Sequence, residues 1–352
     1  MTATIRFLAG ALNAAAPRPT RSRIEIVEGL RGLAALAVAW FHFTNANPAF
    51  PTLGWLRASG TYDWLGVESF FVISGFVIPY AMLKTGYHVA AWPTFIAKRL
   101  LRLEPSYLAS LVVTLALLWI SSRSPQFTRP SPTAAQVLLH VGYLPALFGY
   151  AWLDSAYWTL AIELQYYLLV AIAYGWLAHP SAAVRFSCFA AACLLPFAVP
   201  SDNMVFRYLG LFALGTATFW KHAGSVAGGA YVVLLATATG VTSATLGPAV
   251  AAVGAGTALL IAYGDRLHWR PMIWMGSLSY PLYLLHGPLG ERVVNLGARY
   301  AHAPIAQVGV MFAALAVSAV AAYALYRLVE LPAIGLSASL RYTRTDAIRH
   351  RQ

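Results

Sequence analysis

Residues 28–43 read EGLRGLAALAVAWFHF. A guanidinium, Arg31, and an imidazole, His42, stand eleven residues apart with only small and apolar side chains between them. Eleven residues of helix advance roughly three turns, so both side chains share one face, about 16 Å apart along the axis. Against a hydrocarbon layer about 30 Å thick, Arg31 at the edge puts His42 near the middle. An ionisable group at that depth is expensive and marks a candidate functional site in its own right. The competing reading is a packing groove, with Ala35 and Val38 on the same line and His42 bonded to a neighbouring carbonyl.

The rest of the chain supplies the membrane. Hydrophobic residues make up 59% of the 352 and charged residues only 10%, against about 25% charged in a soluble domain. So little charge cannot solvate a globular surface, and apolar runs near the twenty-residue spanning length recur. The chain reads as an all-α polytopic membrane protein of about ten transmembrane helices with no soluble domain. The spans are expected at 28–46, 64–83, 101–121, 156–178, 183–199, 204–220, 228–247, 249–264, 275–295 and 305–329. The stretch 228–264, rich in Gly and Ala, admits either one long broken helix or two short spans. Residues 25–332 form one membrane domain, and 333–352 a basic cytoplasmic tail. Residues 1–24 read as a basic cytoplasmic extension rather than a signal peptide, since their apolar patch contains Asn13 and a second spanning run follows.

The net charge of +12 invites a nucleic-acid partner, but basic residues beside apolar spans report orientation instead. Ten spans put both termini on one side. Of 24 Lys and Arg, six (Arg57, Arg123, Arg129, Arg207, Arg292 and Arg299) then fall on the opposite side. That asymmetry makes the termini cytoplasmic. Cys188 and Cys193 share one apolar run and suit helix packing; neither a disulfide framework nor a metal site has the ligands it needs. Two loops are longer than the rest. Residues 84–100 suggest an interfacial helix over Trp92–Leu101. Residues 122–155 carry an apolar stretch, Val137–Trp152, that suits a dip into the bilayer.

Further motifs recur at span ends. GVESFFVISGFVI (66–78) opens on Glu68, and its Ser74 and Gly75 are small enough for close helix contact. In KRLLRLEPSY, Arg99 and Arg102 face one way at i and i+3, suited to phosphate recognition or simply to orientation. WTLAIELQYY (158–167) buries Glu163 in an apolar span, where a carboxylate needs a partner. SYPLYLLHGP (279–288) gives a second membrane histidine, His286, where Gly287-Pro288 should break the helix. Glu330-Leu331-Pro332 should close the last span.

Together these motifs resemble the acyltransferase-3 family of integral membrane acyltransferases, which O-acylate bacterial surface polysaccharides. The resemblance runs from Ile26 to Pro332. Its most specific element is the arginine, ten-residue gap, histidine motif, met by Arg31 and His42. The FFxxSGF motif is met by Phe70, Phe71, Ser74, Gly75 and Phe76, and the RxxR motif by Arg99 and Arg102. Trp158, Glu163 and Tyr167 meet the tryptophan-to-glutamate pattern, and Tyr283 and His286 the late tyrosine-to-histidine element. Glu68 stands where Asp is commoner, and Leu103 where Ile is frequent. The hydrolase-like domain that some members append is not expected, since about 20 residues follow Pro332.

The resemblance implies a bacterial inner-membrane enzyme with no permanently bound cofactor, taking acyl-CoA, most often acetyl-CoA, from the cytosol. The acceptor would be a hydroxyl of a surface or exported glycan, free or lipid-linked, with membrane lipids around it. Arg31, Arg99 and Arg102 would hold the donor phosphates, while His42 acts as general base with Glu163 or Glu68 orienting its other nitrogen. An acyl-histidine relay is a variant. Ser74, Trp158, Tyr167, Tyr283 and His286 would serve the acceptor or the structure. A transporter or flippase of glycans or anions is the rival class, since it too uses intramembrane charges and broken helices.

Overall fold

The computed structural model describes residues 21–45, 47, 50–124, 130–264 and 270–342. Residues 1–20 of the expected extension, Arg129 and residues 343–352 of the expected tail lie outside them. The described residues are 82% helical, with no strands among them. Among the described residues, six helical segments are long and apolar enough to cross a bilayer: Glu25–Asn45, Gly54–Lys84, Val89–Ser121, Tyr157–Leu177, Gly228–Leu246 and Pro304–Ser339. The other four expected spans fall on shorter or interrupted helices. The chain is a polytopic all-α membrane protein.

In chain order the first helices are α1 (Arg21–Asn45), α2 (Gly54–Gly60), α3 (Gly66–Lys84), α4 (Trp92–Ser121), α5 (Ala134–Val141) and α6 (Tyr157–Leu177). Then follow α7 (Ala182–Ala198), α8 (Leu209–His222), α9 (Gly228–Leu246), α10 (Pro248–Tyr263), α11 (Arg270–Ser277), α12 (Ser279–Leu285), α13 (Glu291–Gly297), α14 (Pro304–Leu325) and α15 (Leu331–Ser339). The stretch 228–264 is two helices, not one. Gly247 separates them at φ +101°, a backbone region that favours glycine, and α9 packs back on α10.

Three expected boundaries move. Trp92–Leu101 is no separate interfacial helix but the first turns of the 30-residue α4, which continues through Pro105. The missing proline bond is outweighed by a tertiary partner. Lys98 Nζ donates to the Ser337 carbonyl at 3.1 Å, and Ser337 Oγ donates to the Lys98 carbonyl at 2.7 Å, clamping α15 along α4. Gly287-Pro288 does not break its helix, nor does Glu330-Leu331-Pro332 end the last one. In each case a single π-turn, His286–Gly290 or Tyr326–Glu330, carries the chain from one α-helix into the next. The wider turn relieves the clash that a proline ring makes with the preceding turn.

Two close crossings set the depth of everything else. A Cβ at Gly75 would collide with the Phe212 carbonyl, and one at Gly215 with the backbone of Val72 and Gly75, so α3 and α8 touch backbone to backbone. Gly32 and Gly276 do the same for α1 and α11. Outside the bundle, Thr133 caps α5 by accepting from the Gln136 N–H at 3.1 Å. The apolar residues Leu138, Leu147 and Phe148 of this connection are exposed. Cys193 is buried and Cys188 half-buried in α7, both as free thiols.

Candidate active site

Arg31, Arg99 and Arg102 converge. With Glu28, Ser74, Glu163, Tyr167, Thr159, Tyr280 and Tyr283 they line one cavity of about 200 Å³, enclosed by α1, α3, α4, α6 and α12. The RxxR spacing of α4 puts both of its guanidiniums on the cavity face. Arg99 lies over the Tyr167 ring, 5.5 Å from its centroid, and over Phe95 at 5.3 Å. Arg31 pairs with Glu28 one turn earlier at 3.5 Å. Among the described residues no carboxylate lies within ion-pair distance of Arg99 or Arg102. The buried Glu330 carboxylate acts on Arg102 electrostatically from beyond that distance, so neither guanidinium is tied in a direct ion pair and the planar fork of each is free to meet phosphate oxygens.

Glu163 belongs to this cavity and not to His42. Its Oε1 accepts from Ser74 Oγ at 3.1 Å and from the Tyr167 hydroxyl. Ser74 and Gly75 thus do different things: Gly75 faces α8 for close packing, and Ser74 faces α6 to hold the carboxylate.

His42 lies one turn of α1 beyond Val38, past the opposite end of the cavity, and is not among its lining residues. Its Nδ1 is 2.8 Å from Glu291 Oε1. The two side chains are 16% and 34% exposed, so the pair is sheltered but reachable. The His286 ring stands edge-on to His42, centroids 4.9 Å apart. His286 is fully buried; its Nδ1 bonds the Tyr283 carbonyl at 2.8 Å, and its Nε2 has no hydrogen-bond partner among the described residues. The π-turn His286–Gly290 begins at the second histidine and leads into Glu291, and both of these reach His42.

Beyond the dyad lies a second, polar cavity of about 710 Å³, lined by Ser121, Asp154, Glu291, Arg292, Asn295 and Arg299 among others. Gly287 lets this wall close up, because a Cβ there would meet the Asp154 carboxylate. Asp154 also accepts from the Ala156 N–H at 2.8 Å, fixing the start of α6.

Of the residues singled out from sequence, Arg31, Arg99, Arg102, Ser74, Glu163, Tyr167 and Tyr283 share the first cavity. His42 and His286 sit together beyond it. Glu68 is apart from both cavities, 7% exposed, with Oε2 lacking a partner. Trp158 packs against the rings of Phe71 and Tyr208. The carboxylate on His42 is therefore Glu291, where Glu163 or Glu68 was expected. Glu163 is held in the arginine cavity by Ser74 and Tyr167, and among the described residues Glu68 makes no bond to the imidazole. Glu291 follows His286 by five residues, but its partner is 249 positions away.

A family model described as an acyltransferase domain matches residues 24–327, a range that contains both cavities and the dyad. No curated protein and no solved structure matches this chain.

Proposed function

This chain belongs to the acyltransferase-3 family, and from that premise we propose that it transfers an acyl group from cytosolic acyl-CoA to a glycan hydroxyl across the inner membrane. The observation that carries this reading is the order of parts along α1: the arginine cavity at Arg31 and the His42–Glu291 dyad roughly three turns further on. The donor's phosphates rest at Arg99 and Arg102, and its thioester reaches toward His42. The acceptor enters through the second cavity, whose Asp154, Asn295 and Arg299 suit a polyhydroxylated ligand.

Glu291 accepts the Nδ1 hydrogen of His42, leaving the Nε2 lone pair to act as general base. The acceptor hydroxyl gives its proton to Nε2 as its oxygen attacks the thioester carbonyl carbon. The new C–O bond forms, the C–S bond breaks, and the departing thiolate takes the proton back from the imidazolium. Both termini face the cytosol in this arrangement, and acetyl is the group proposed.

Membranes containing the protein, given labelled acetyl-CoA, are expected to place label in glycan. His42→Ala is expected to abolish that while the protein still accumulates in the membrane. Normal labelling by His42→Ala would overturn the reading. Two cavities separated by a thin layer also suit a transporter; glycan movement with no label incorporated would favour that class.

A further inference from the structure

A single layer of side chains stands between the arginine cavity and His42. Along α1 the order is Arg31, Val38, His42, with about 10 Å of rise to the second and about 6 Å more to the third. Val38 packs with Val67, Phe70, Ala156 and Tyr283. Three of these, Val67, Phe70 and Tyr283, also line the cavity, so they form its end nearest His42. The arginines line the other end: Arg99 lies over Tyr167, which stands eight residues beyond Thr159 on α6, and on α3 the lining runs from Val67 ten residues further to Val77.

The layer is built unequally. Tyr283 is 5% exposed and anchored: its hydroxyl meets Thr159 Oγ1 at 2.8 Å and the Ala156 carbonyl at 3.3 Å. Phe70 has no polar anchor. It is half-buried and meets the Tyr283 ring edge-on with centroids 5.7 Å apart. A ring held by packing alone changes rotamer without breaking a hydrogen bond. The tyrosine does not.

We propose that Phe70, seated against the fixed Tyr283, is the specificity-determining residue for the acyl group, restricting the donor to short, uncharged acyl thioesters. This rests on the reading that acyl-CoA occupies the arginine cavity. With the phosphates at Arg99 and Arg102, the acyl end abuts Phe70, which turns aside to let the thioester carbonyl reach His42. Each added methylene has to displace the ring further. A terminal carboxylate, as in a succinyl group, is set among Val67, Phe70 and Leu160, where the Tyr283 and Thr159 hydroxyls are already bonded to each other and to the Ala156 carbonyl, and the guanidiniums stand at the far end. Burying that charge without a partner is strongly unfavourable.

The test is binding of CoA, acetyl-CoA, butyryl-CoA, hexanoyl-CoA and succinyl-CoA to the full-length protein in lipid nanodiscs. Wild type, Phe70→Ala, Phe70→Trp and Arg102→Ala are compared. Wild type is expected to favour acetyl over hexanoyl and succinyl by about tenfold or more. Phe70→Ala should narrow the acetyl-to-hexanoyl gap by about tenfold, and Phe70→Trp should weaken acetyl-CoA while CoA itself stays within about twofold. Arg102→Ala should weaken CoA and every acyl-CoA alike. An unchanged chain-length order in Phe70→Ala, with acetyl affinity intact in Phe70→Trp, overturns the assignment of Phe70 and leaves the donor site standing. Absence of any CoA binding to wild type overturns the donor site, and the assignment with it.

Discussion

In the proposed mechanism, Glu291 decides which nitrogen of His42 faces the reaction. A carboxylate only accepts, so in the neutral ring the Nδ1 that touches it at 2.8 Å carries the hydrogen and Nε2 keeps the lone pair that the proposed base needs. Glu291→Gln removes the charge that stabilises the imidazolium. It is expected to lower kcat by about 100-fold or more with little change in the donor KM, read from steady-state acyl transfer. A second histidine is used for structure. His140 is fully buried; its Nδ1 donates to the Gln136 carbonyl at 2.7 Å and its Nε2 accepts the Leu153 N–H at 3.0 Å. Only the neutral ring can do both. Burial pushes its pKa below the ordinary imidazole value, an effect partly offset by the Gln136 bond. Between the folded and unfolded values the unfolded chain holds a proton that the folded one does not, so stability falls as pH drops through that window. The Tm of the wild type should therefore decline from about pH 7.5 to about pH 5.5, and His140→Gln should show a shallower decline. Equal slopes would remove His140 from the account.

Helix crossings and π-turns are what the site asks of its elements. The α3–α8 contact at Gly75 and Gly215 fixes the depth of Ser74, one residue from the crossing, and through it the Glu163 carboxylate. Gly215→Leu is expected to destabilise by at least about 1–3 kcal/mol, since neither backbone can retreat. Gly256→Leu in α10 has nothing within 4 Å of its Cβ and serves as the control, expected near neutral in the same thermal unfolding measurement. The prolines at 288 and 332 read as helix stops because proline removes one ladder bond and clashes with the preceding turn. The structure spends one π-turn on each instead, and so continues from His286 into Glu291 on one element. Nothing in the composition of HGPLG separates a π-turn from a break.

At the scale of the whole molecule, two cavities of unlike character flank the dyad: a small arginine-lined one and a larger polar one, with Phe70, Tyr283, His286 and His42 between them. If the charge asymmetry sets orientation, Arg299 and Lys84 lie on opposite faces of the membrane. In a background without Cys188 and Cys193, Arg299→Cys should react with an impermeant maleimide on intact cells, and Lys84→Cys only after permeabilisation. The reverse pattern would invert the assignment of donor and acceptor sides. The helical membrane class and the share of a face by Arg31 and His42 were legible in the chain alone. So was the paired presentation of Arg99 and Arg102. These follow from hydropathy, segment length and helix pitch, which are local quantities. The tertiary structure alone decided that Ser74 and Tyr167 hold Glu163 in the arginine cavity, that Glu291 meets His42, and that Phe70 and Tyr283 stand between the two. Those choices depend on which helices touch and at what depth, fixed by backbone contacts such as Gly75 on Phe212 and by pairings across 249 residues that no local period encodes.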